Sequence, residues 1–188
     1  FFSNQLAYHF APGEINFHPL PDKIICSGPI YLKLFENAGF PPEMLVLGGN
    51  LRFTSVYKKS TNKNLHKLNE KRNILLPLTF SYSLAIDLFS KVKTALNGFS
   101  GYNIYVRNHP LLSKKKIIKI LDDIGIYNYH FADSGIIQDW LPQINILMSN
   151  GASITILEAV VLGIPVIRVI PDQDIFYDPL HWSDYPLS

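Results

Sequence analysis

The residues with the most specific chemical pattern lie in a short turn at positions 149–155. Ser149, Asn150, Gly151, Ser153 and Thr155 are small or polar, and apolar runs flank them. Small residues let a ligand approach the backbone closely. The free N–H groups and the dipole at a helix start attract anions such as phosphate. Ser, Asn and Thr are also usual helix caps, but so many small polar residues exceed what one cap needs, and we favour the anion site.

Glu158 lies one turn into the helix that should follow this turn. A carboxylate at this place could accept hydrogen bonds from ribose hydroxyls. Thr155 and Glu158 also have the spacing of a capping box, in which the two side chains satisfy backbone N–H groups of the first turn. The spacing alone leaves both interpretations open.

Arg107 and His109 form a second candidate group. The two side chains alternate along an extended segment, so they should share a face. An arginine fork and a histidine donor could then hold one phosphate together. The alternative is a surface pair beside the turn at Pro110.

A metal centre is not expected. Asp172 and Asp174 form an Asp-x-Asp pattern, but no further ligand stands at a suitable spacing. The six histidines are scattered and form no zinc pattern.

Alternating strands and helices must position these residues. From position 73 the hydrophobic pattern predicts strands at 74–78, 102–106, 128–131, 144–148 and 165–170, and helices at 81–96, 114–124, 136–141 and 153–162. This order predicts an α/β fold, a Rossmann-like parallel sheet with helices on both faces. The predicted inward stripes of two helices are Leu84, Leu88, Val92 and Ala95, and Ile117, Ile118, Leu121 and Ile124.

Ligands of such sheets bind beyond the carboxyl ends of the strands. Five predicted loops should share that edge, at positions 79–81, 107–110, 132–135, 149–153 and 171–174. Thr79 and Ser81 add hydroxyl groups to it, and Asp172 and Gln173 add a carboxylate and an amide. The five loops together predict a binding edge.

The chain should contain a second, smaller unit. Strands at 23–27 and 44–47 flank a helix at 29–38, and a polar, Lys- and Asn-rich segment follows. We therefore predict a first domain at 1–53, a linker at 54–72 and a ligand-binding α/β domain at 73–188. The sequence starts with Phe1 rather than Met, so we expect a fragment of a longer protein.

Composition limits the partners and the location. A net charge of +2 gives no indication of nucleic-acid binding, although lysine clusters such as 114–116 are compatible with peripheral association at an anionic membrane. Cys26 is the single cysteine, which fits a reducing compartment. No apolar run is long enough to span a bilayer. We expect a cytoplasmic protein, at the inner face of the membrane if it associates with one.

Residues 149–167 resemble the donor-site segment of GT-B glycosyltransferases. In that family a small polar turn, a Leu-Glu-Ala sequence and a Gly-x-Pro-Val-Ile sequence follow one another, as they do here at 149–155, 157–159 and 163–167. Residues 107–110 are similar to the His-Pro motif of bacterial sialyltransferases and glycerophosphotransferases. Asp172 and Gln173 are similar to the Asp-Gln pair that contacts donor sugar hydroxyls in plant-type glycosyltransferases. The resemblance covers 73–175, and 23–53 is similar to the last unit of the first GT-B domain.

The resemblance implies a metal-independent glycosyltransferase, or a related glycerophosphate transferase, of bacterial surface-polysaccharide biosynthesis. Its substrates would be a nucleotide-activated donor, CMP- or CDP-linked, and a glycan acceptor, with no other cofactor. Arg107 and His109 would stabilise the leaving phosphate, and Glu158 would contact the ribose. Most of the N-terminal domain, which usually holds the catalytic base, would be missing, so we expect the fragment to be inactive alone.

Two other functions fit the same residues. A nucleotide-sugar 2-epimerase shares the two-domain architecture but needs carboxylates in the cleft, for which Asp133, Glu158 and Asp172 are the candidates on this edge. A non-catalytic nucleotide- or glycan-binding subunit needs only the binding edge.

Overall fold

The computed structural model of the 188-residue chain describes residues 21–49, 53, 54, 56, 71–151 and 153–172. The chain forms two compact units, which divide after Thr54. The predicted domain limits at 53 and 73 stay predictions.

The first unit is a small strand–helix–strand motif. Strand β1 (Ile24–Cys26) leads to helix α1 (Pro29–Asn37), and a 3-10 turn (Pro42–Met44) leads to strand β2 (Leu45–Leu47). The two strands pair in parallel. The fixed backbone angle of Pro29 suits the first turn of α1. Gly39 follows the helix with a φ of +92°, a left-handed conformation that glycine adopts without strain.

The second unit is a five-stranded α/β domain. Its elements are β3 (Arg72–Pro77), α2 (Tyr82–Ala95), β4 (Tyr102–Arg107), α3 (Lys114–Ile124), β5 (Tyr129–Phe131), α4 (Ile137–Trp140), a 3-10 turn (Leu141–Gln143), β6 (Ile146–Ser149), α5 (Ile154–Val161) and β7 (Val166–Arg168). The strand order is β5-β4-β3-β6-β7, and every pairing is parallel. The predicted Rossmann-like parallel sheet is therefore confirmed, with element bounds within about two residues of those expected.

Helix α2 buries a stripe that contains two of the four predicted residues. Ala85, Leu88, Phe89 and Val92 are buried, whereas Leu84 is half-buried and Ala95 is exposed. The buried positions follow the i, i+3, i+4, i+7 spacing of one helix face. Residues spaced every four positions, as in the prediction, move gradually off that face. Helix α3 shows the same effect, because Ile117, Ile120 and Leu121 are buried while Ile118 and Ile124 are half-buried.

The strand order defines where a ligand should bind. The connections from β3 to β5 run to one side of β3, and the chain then returns to place β6 on its other side. Crevices form at such reversals, beyond the carboxyl ends of the strands, and here the reversal lies between β3 and β6. Because all five strands are parallel, their carboxyl ends lie at one edge of the sheet, which we call the carboxyl edge.

Candidate functional site

The centre of the carboxyl edge is a close contact between the loops after β3 and β6. A Cβ atom placed on Gly151 would lie 2.2 Å from Cγ2 of Thr79, far inside the roughly 3.5 Å of an ordinary carbon contact. Ala152 lies outside the described residues. Glycine is therefore required at 151 because the two loops touch at the reversal point of the sheet.

Polar side chains of the turn after β6 form hydrogen bonds within the protein that fix the conformation of the turn. Ser149 is fully buried, and its Oγ lies 3.5 Å from the N–H of Gly151, within the turn. Asn150 donates from Nδ2 to the carbonyl of Leu84 at 2.7 Å and to Oδ2 of Asp87 at 3.1 Å. These two predicted ligand residues thus hold the shape of the turn through their side chains.

Ser153 caps helix α5. Its Oγ accepts a hydrogen bond from the N–H of Thr155 at 3.3 Å, and Thr155 itself is buried. The cap interpretation is therefore correct for Ser153, while the anion site at the same helix start remains a prediction. The cap also shows that the capping-box interpretation of Thr155 and Glu158 is wrong, because the helix begins two residues earlier than that box requires.

Glu158 is fully buried and lies against helix α4. Its Oε1 accepts a hydrogen bond from Nε2 of Gln138 at 2.5 Å, and Gln138 is buried as well. A buried carboxylate must be hydrogen-bonded to be tolerated, and Gln138 supplies such a bond. The ribose contact of Glu158 stays a prediction, and it would require the ligand to reach this buried pair.

Ser81 and Thr79 have different roles in the loop after β3. Ser81 caps helix α2, accepting from the N–H of Leu84 at 3.4 Å, and its hydroxyl also bonds to Ser83. Oγ1 of Thr79 is buried and has no hydrogen-bond partner in the described part of the chain. An unsatisfied buried hydroxyl is costly, so Thr79 is the predicted residue best suited to receive a ligand.

Arg107 and His109 do not converge as predicted. Arg107 ends β4 and donates from Nη1 to the carbonyl of Ala132 and from Nη2 to that of Gly135, which lie in the loop after β5. The ring of His109 lies instead beside that of Phe80, in the loop after β3, with 6.3 Å between centroids. Because β5 and β3 are on opposite sides of β4, the two side chains diverge.

His109 keeps one nitrogen for a ligand. Its Nδ1 accepts a hydrogen bond from the N–H of Leu111 at 3.2 Å. In the neutral imidazole the proton is then on Nε2, which is a donor. The side chain is half-buried at the carboxyl edge, so the geometry suits donation of a hydrogen bond to a phosphate oxygen.

The end of β7 belongs to a network of charges. Asp172 pairs with Lys91 of α2 at 2.7 Å, and Lys91 also pairs with Asp87 at 2.7 Å and donates to the carbonyl of Ile170. Hydrogen bonds to Asp172 and then Asp87 raise the pKa of Lys91. Gln173, the predicted partner of Asp172, lies outside the described residues.

Arg168 is a site residue that the sequence did not reveal. It ends β7, pairs in register with Ser149, and donates from Nη1 to the carbonyl of Gly151 at 3.0 Å. The sequence could have indicated Arg168 through its position at the end of a strand. Its contact with Gly151, however, depends on how β7 pairs with β6. Arg168 adds a positive charge beside the glycine turn.

Neither a metal cluster nor a membrane helix is found in the described ranges. No group of three His, Cys, Asp or Glu side chains there could hold a metal ion. None of the helices described above is long and apolar enough to cross a membrane.

Comparison with known proteins gives structural neighbours only. No family model and no curated protein sequence matches the chain. S. aureus MnaA in complex with UDP superposes with a TM-score of 0.57 at 14% identity, covering 78% of this chain and 42% of that one. UDP-GlcNAc 2-epimerase from Neisseria meningitidis, bound to UDP-GlcNAc, gives 0.51 at 12% identity, covering 78% and 43%.

The chain therefore spans less than half the length of these neighbours. Identities this low show a common fold and no more. The β3–β7 domain has a Rossmann-like fold, which the chain shares with these neighbours.

Proposed function

We propose that the carboxyl edge binds the phosphates of a nucleotide-activated sugar between β3 and β6, and that the protein is a glycosyltransferase. The observation that carries the proposal is the contact of Gly151 with Thr79 at the reversal point of the sheet. A phosphate needs a close backbone approach near the N-terminus of a helix, and Gly151 stands three positions before the first residue of α5.

Three side chains around the turn support the same ligand. The unpartnered hydroxyl of Thr79 can donate to a phosphate oxygen. Arg168 brings a guanidinium to the carbonyl of Gly151. Nε2 of His109, in the loop after β4, adds a further donor. These groups would take the place of a metal ion in neutralising the phosphate, which makes the proposed reaction metal-independent.

The proposed reaction breaks the bond between the anomeric carbon of the sugar and the donor phosphate, while an acceptor hydroxyl forms a new bond to that carbon. Negative charge grows on the leaving phosphate. Positive groups fixed in place around it lower the barrier, and loss of one such donor typically costs on the order of 10² to 10³ in rate. The base that takes the acceptor proton is expected in an N-terminal domain, together with most of the acceptor site.

Nucleotide binding provides the first test. The 188-residue chain would be heated with CMP, CDP, UDP and GDP in turn, with adenine nucleotides as the unrelated reference. At a concentration of 100 times Kd, a bound nucleotide should stabilise the fold by about 2.7 kcal/mol. CMP or CDP should stabilise most if the His-Pro resemblance holds, and UDP if the donor is that of the structural neighbours. Failure of every nucleotide to shift Tm would contradict the proposal.

A 2-epimerase is the second candidate, because a neighbour of this fold is a UDP-GlcNAc 2-epimerase. That chemistry needs an available carboxylate, and the three candidates are all engaged. Asp133 pairs with Lys114 at 2.9 Å, Glu158 bonds to Gln138, and Asp172 pairs with Lys91. We therefore place the transferase first.

Product analysis separates the candidate functions. The full-length protein would be mixed with a labelled nucleotide sugar and a glycan acceptor. Label in the glycan identifies a transferase, and label in a new nucleotide sugar identifies an epimerase. Binding with unchanged substrate would identify the third candidate, a non-catalytic nucleotide- or glycan-binding subunit.

A further inference from the structure

The loop after β5, at positions 132–135, is held by side-chain hydrogen bonds from other elements. The fork of Arg107 donates to both ends of the loop, to the carbonyl of Ala132 at 2.5 Å and to that of Gly135 at 3.0 Å. Gly135 has a φ of +66°, so the loop closes through a left-handed glycine. One planar cation therefore fixes the distance between the two ends of the loop.

Two further elements hold the middle of the loop. The carboxylate of Asp133 accepts from the backbone N–H of Asn108 at 3.3 Å and pairs with Lys114 at 2.9 Å. The carbonyl of Ser134 accepts from Nε1 of Trp140 at 2.7 Å. Three of the four carbonyl groups of 132–135 are thus directed to side-chain donors, and the loop is preorganised.

The position of Arg107 separates it from the phosphate site. In the strand order β5-β4-β3-β6, β4 is two strand spacings from β6 and β5 is three, or roughly 10 and 14 Å. Arg107 starts on β4 and extends towards β5, away from Gly151. To contact a phosphate at the turn after β6, it would have to release both carbonyls and leave them without their donor.

We propose that Arg107 is a positioning residue and not a phosphate ligand. It acts through the 132–135 loop, which contacts the nucleoside portion of the donor while the phosphates bind between β3 and β6. This inference rests on the function proposed above. It replaces the expectation that Arg107 and His109 hold one phosphate together.

The test compares Arg107→Met with Arg72→Met, using the whole chain. Arg72 is an exposed arginine at the opposite, amino end of β3, so it is a matched control. Affinity would be measured for the nucleoside diphosphate that stabilises wild type best and for inorganic pyrophosphate. Arg107→Met should weaken the nucleotide roughly 10- to 100-fold, as expected for loss of charge-assisted hydrogen bonds, and change pyrophosphate less than about twofold. Equal losses for the two ligands would show a direct phosphate contact and overturn the inference.

Trp140→Phe approaches the same loop from another element. It removes the N–H that holds Ser134 and shortens the ring that packs beside Tyr105, and it should shift the two affinities in the same unequal way, with a smaller amplitude. It also serves if Arg107→Met does not fold, as does Arg107→Lys, which keeps the charge but loses the fork.

Amide hydrogen exchange separates this inference from the proposed function. Exchange at 133–136 should be faster in Arg107→Met than in Arg72→Met, whether or not a ligand is present. Equal protection in the two variants refutes the positioning role. If wild type binds no nucleotide, the proposed function fails and so does the part of the inference that concerns the nucleoside.

Discussion

Replacement of Gly151 by alanine tests the contact on which the proposed site depends. The added Cβ would lie 2.2 Å from Cγ2 of Thr79, about 1.3 Å inside an ordinary carbon contact of ~3.5 Å. Gly151 does not have a positive φ, so alanine meets no backbone penalty. Thr79 is β-branched and stiff at χ1, so it cannot easily move the methyl away. The effect of the substitution should therefore come from packing alone.

The size of that effect follows from the overlap. Forcing a methyl group into a closely packed site costs about 1 to 3 kcal/mol. For a chain of this length each kcal/mol lowers Tm by about 2 to 4 °C, so Gly151→Ala should lower Tm by roughly 2 to 12 °C. Gly49→Ala is the control, because nothing lies within 4 Å of the added Cβ and its φ is not positive.

A second substitution identifies the atom responsible. Thr79→Ser removes Cγ2, after which the closest Thr79 atoms to the added Cβ are Cβ at 3.4 Å and Oγ1 at 3.6 Å, both ordinary contacts. Serine alone should cost about 1 kcal/mol for the lost methyl. Adding Gly151→Ala to it should then cost little, which gives a favourable coupling energy of about 1 to 3 kcal/mol.

The assay is a double-mutant cycle by denaturant unfolding, followed by nucleotide titration. Additive effects of Gly151→Ala and Thr79→Ser would refute the contact, since additivity means that the two residues do not touch. In the double variant the new methyl takes the space that Cγ2 of Thr79 fills in wild type, so nucleotide affinity should equal that of Thr79→Ser alone. A loss of affinity confined to the double variant would mean that the new methyl meets the ligand, and would contradict this packing.

Four further variants or labels test single groups. Thr79→Val removes an unpartnered buried hydroxyl. It should raise the free energy of unfolding by about 1 to 3 kcal/mol and yet weaken nucleotide binding. The control Thr94→Val, on the exposed face of α2, should change neither quantity. His109→Ala should weaken nucleotide binding or turnover, and unchanged values in the full-length protein would remove the His-Pro assignment. Lys91→Met should lower Tm at low salt and lower it by less in 1 M NaCl, because salt screens the attraction between Lys91 and its two aspartate partners. The pKa of Lys91 is raised by these partners. The contribution of Lys91 to the stability of the fold is therefore complete below the ordinary lysine pKa of 10.5 and is lost as pH rises through the raised pKa. Cys26 is 1% exposed, and burial, with Glu36 as the lesser cause, raises its pKa above 9.0; iodoacetamide at pH 8 should label it only after denaturation, and rapid labelling of the native chain would contradict its burial.

The fold could be predicted from the sequence because each element carries a local signal. Strands β3 and β6 are short apolar runs, and helices α2 and α5 begin at Ser81 and Ser153, whose side chains cap them. Parallel pairing followed from the alternation of strands and helices. The stripes of α2 and α3 were wrong by one position at some residues, because which side of a helix meets the sheet depends on packing that a period alone does not fix.

The site was predicted less well, for a physical reason. The sequence pattern places Arg107 and His109 on one face of an extended segment. The partners of each side chain, however, lie on the neighbouring strands, and the sequence near these residues does not give the order of the strands. Arg168 was missed for a related reason: the succession of β6, α5 and β7 indicates that the two strands pair, but not the register that places Arg168 beside Ser149. Asn150 and Glu158 were expected to face a ligand, yet each bonds to a residue of another helix.

The contacts described above connect the carboxyl edge from one side of the sheet to the other. Arg168 of β7 bonds to Gly151 after β6, Gly151 touches Thr79 after β3, and Phe80 beside it meets His109 after β4. Arg107 and Asn108 then bond to the loop after β5. Each loop of the carboxyl edge is therefore held in place by contacts with the adjacent loop before a ligand binds. Preorganisation of this kind lowers the cost of ordering loops on binding, and it explains why the predicted effects of Arg107 can reach a ligand that the side chain does not touch.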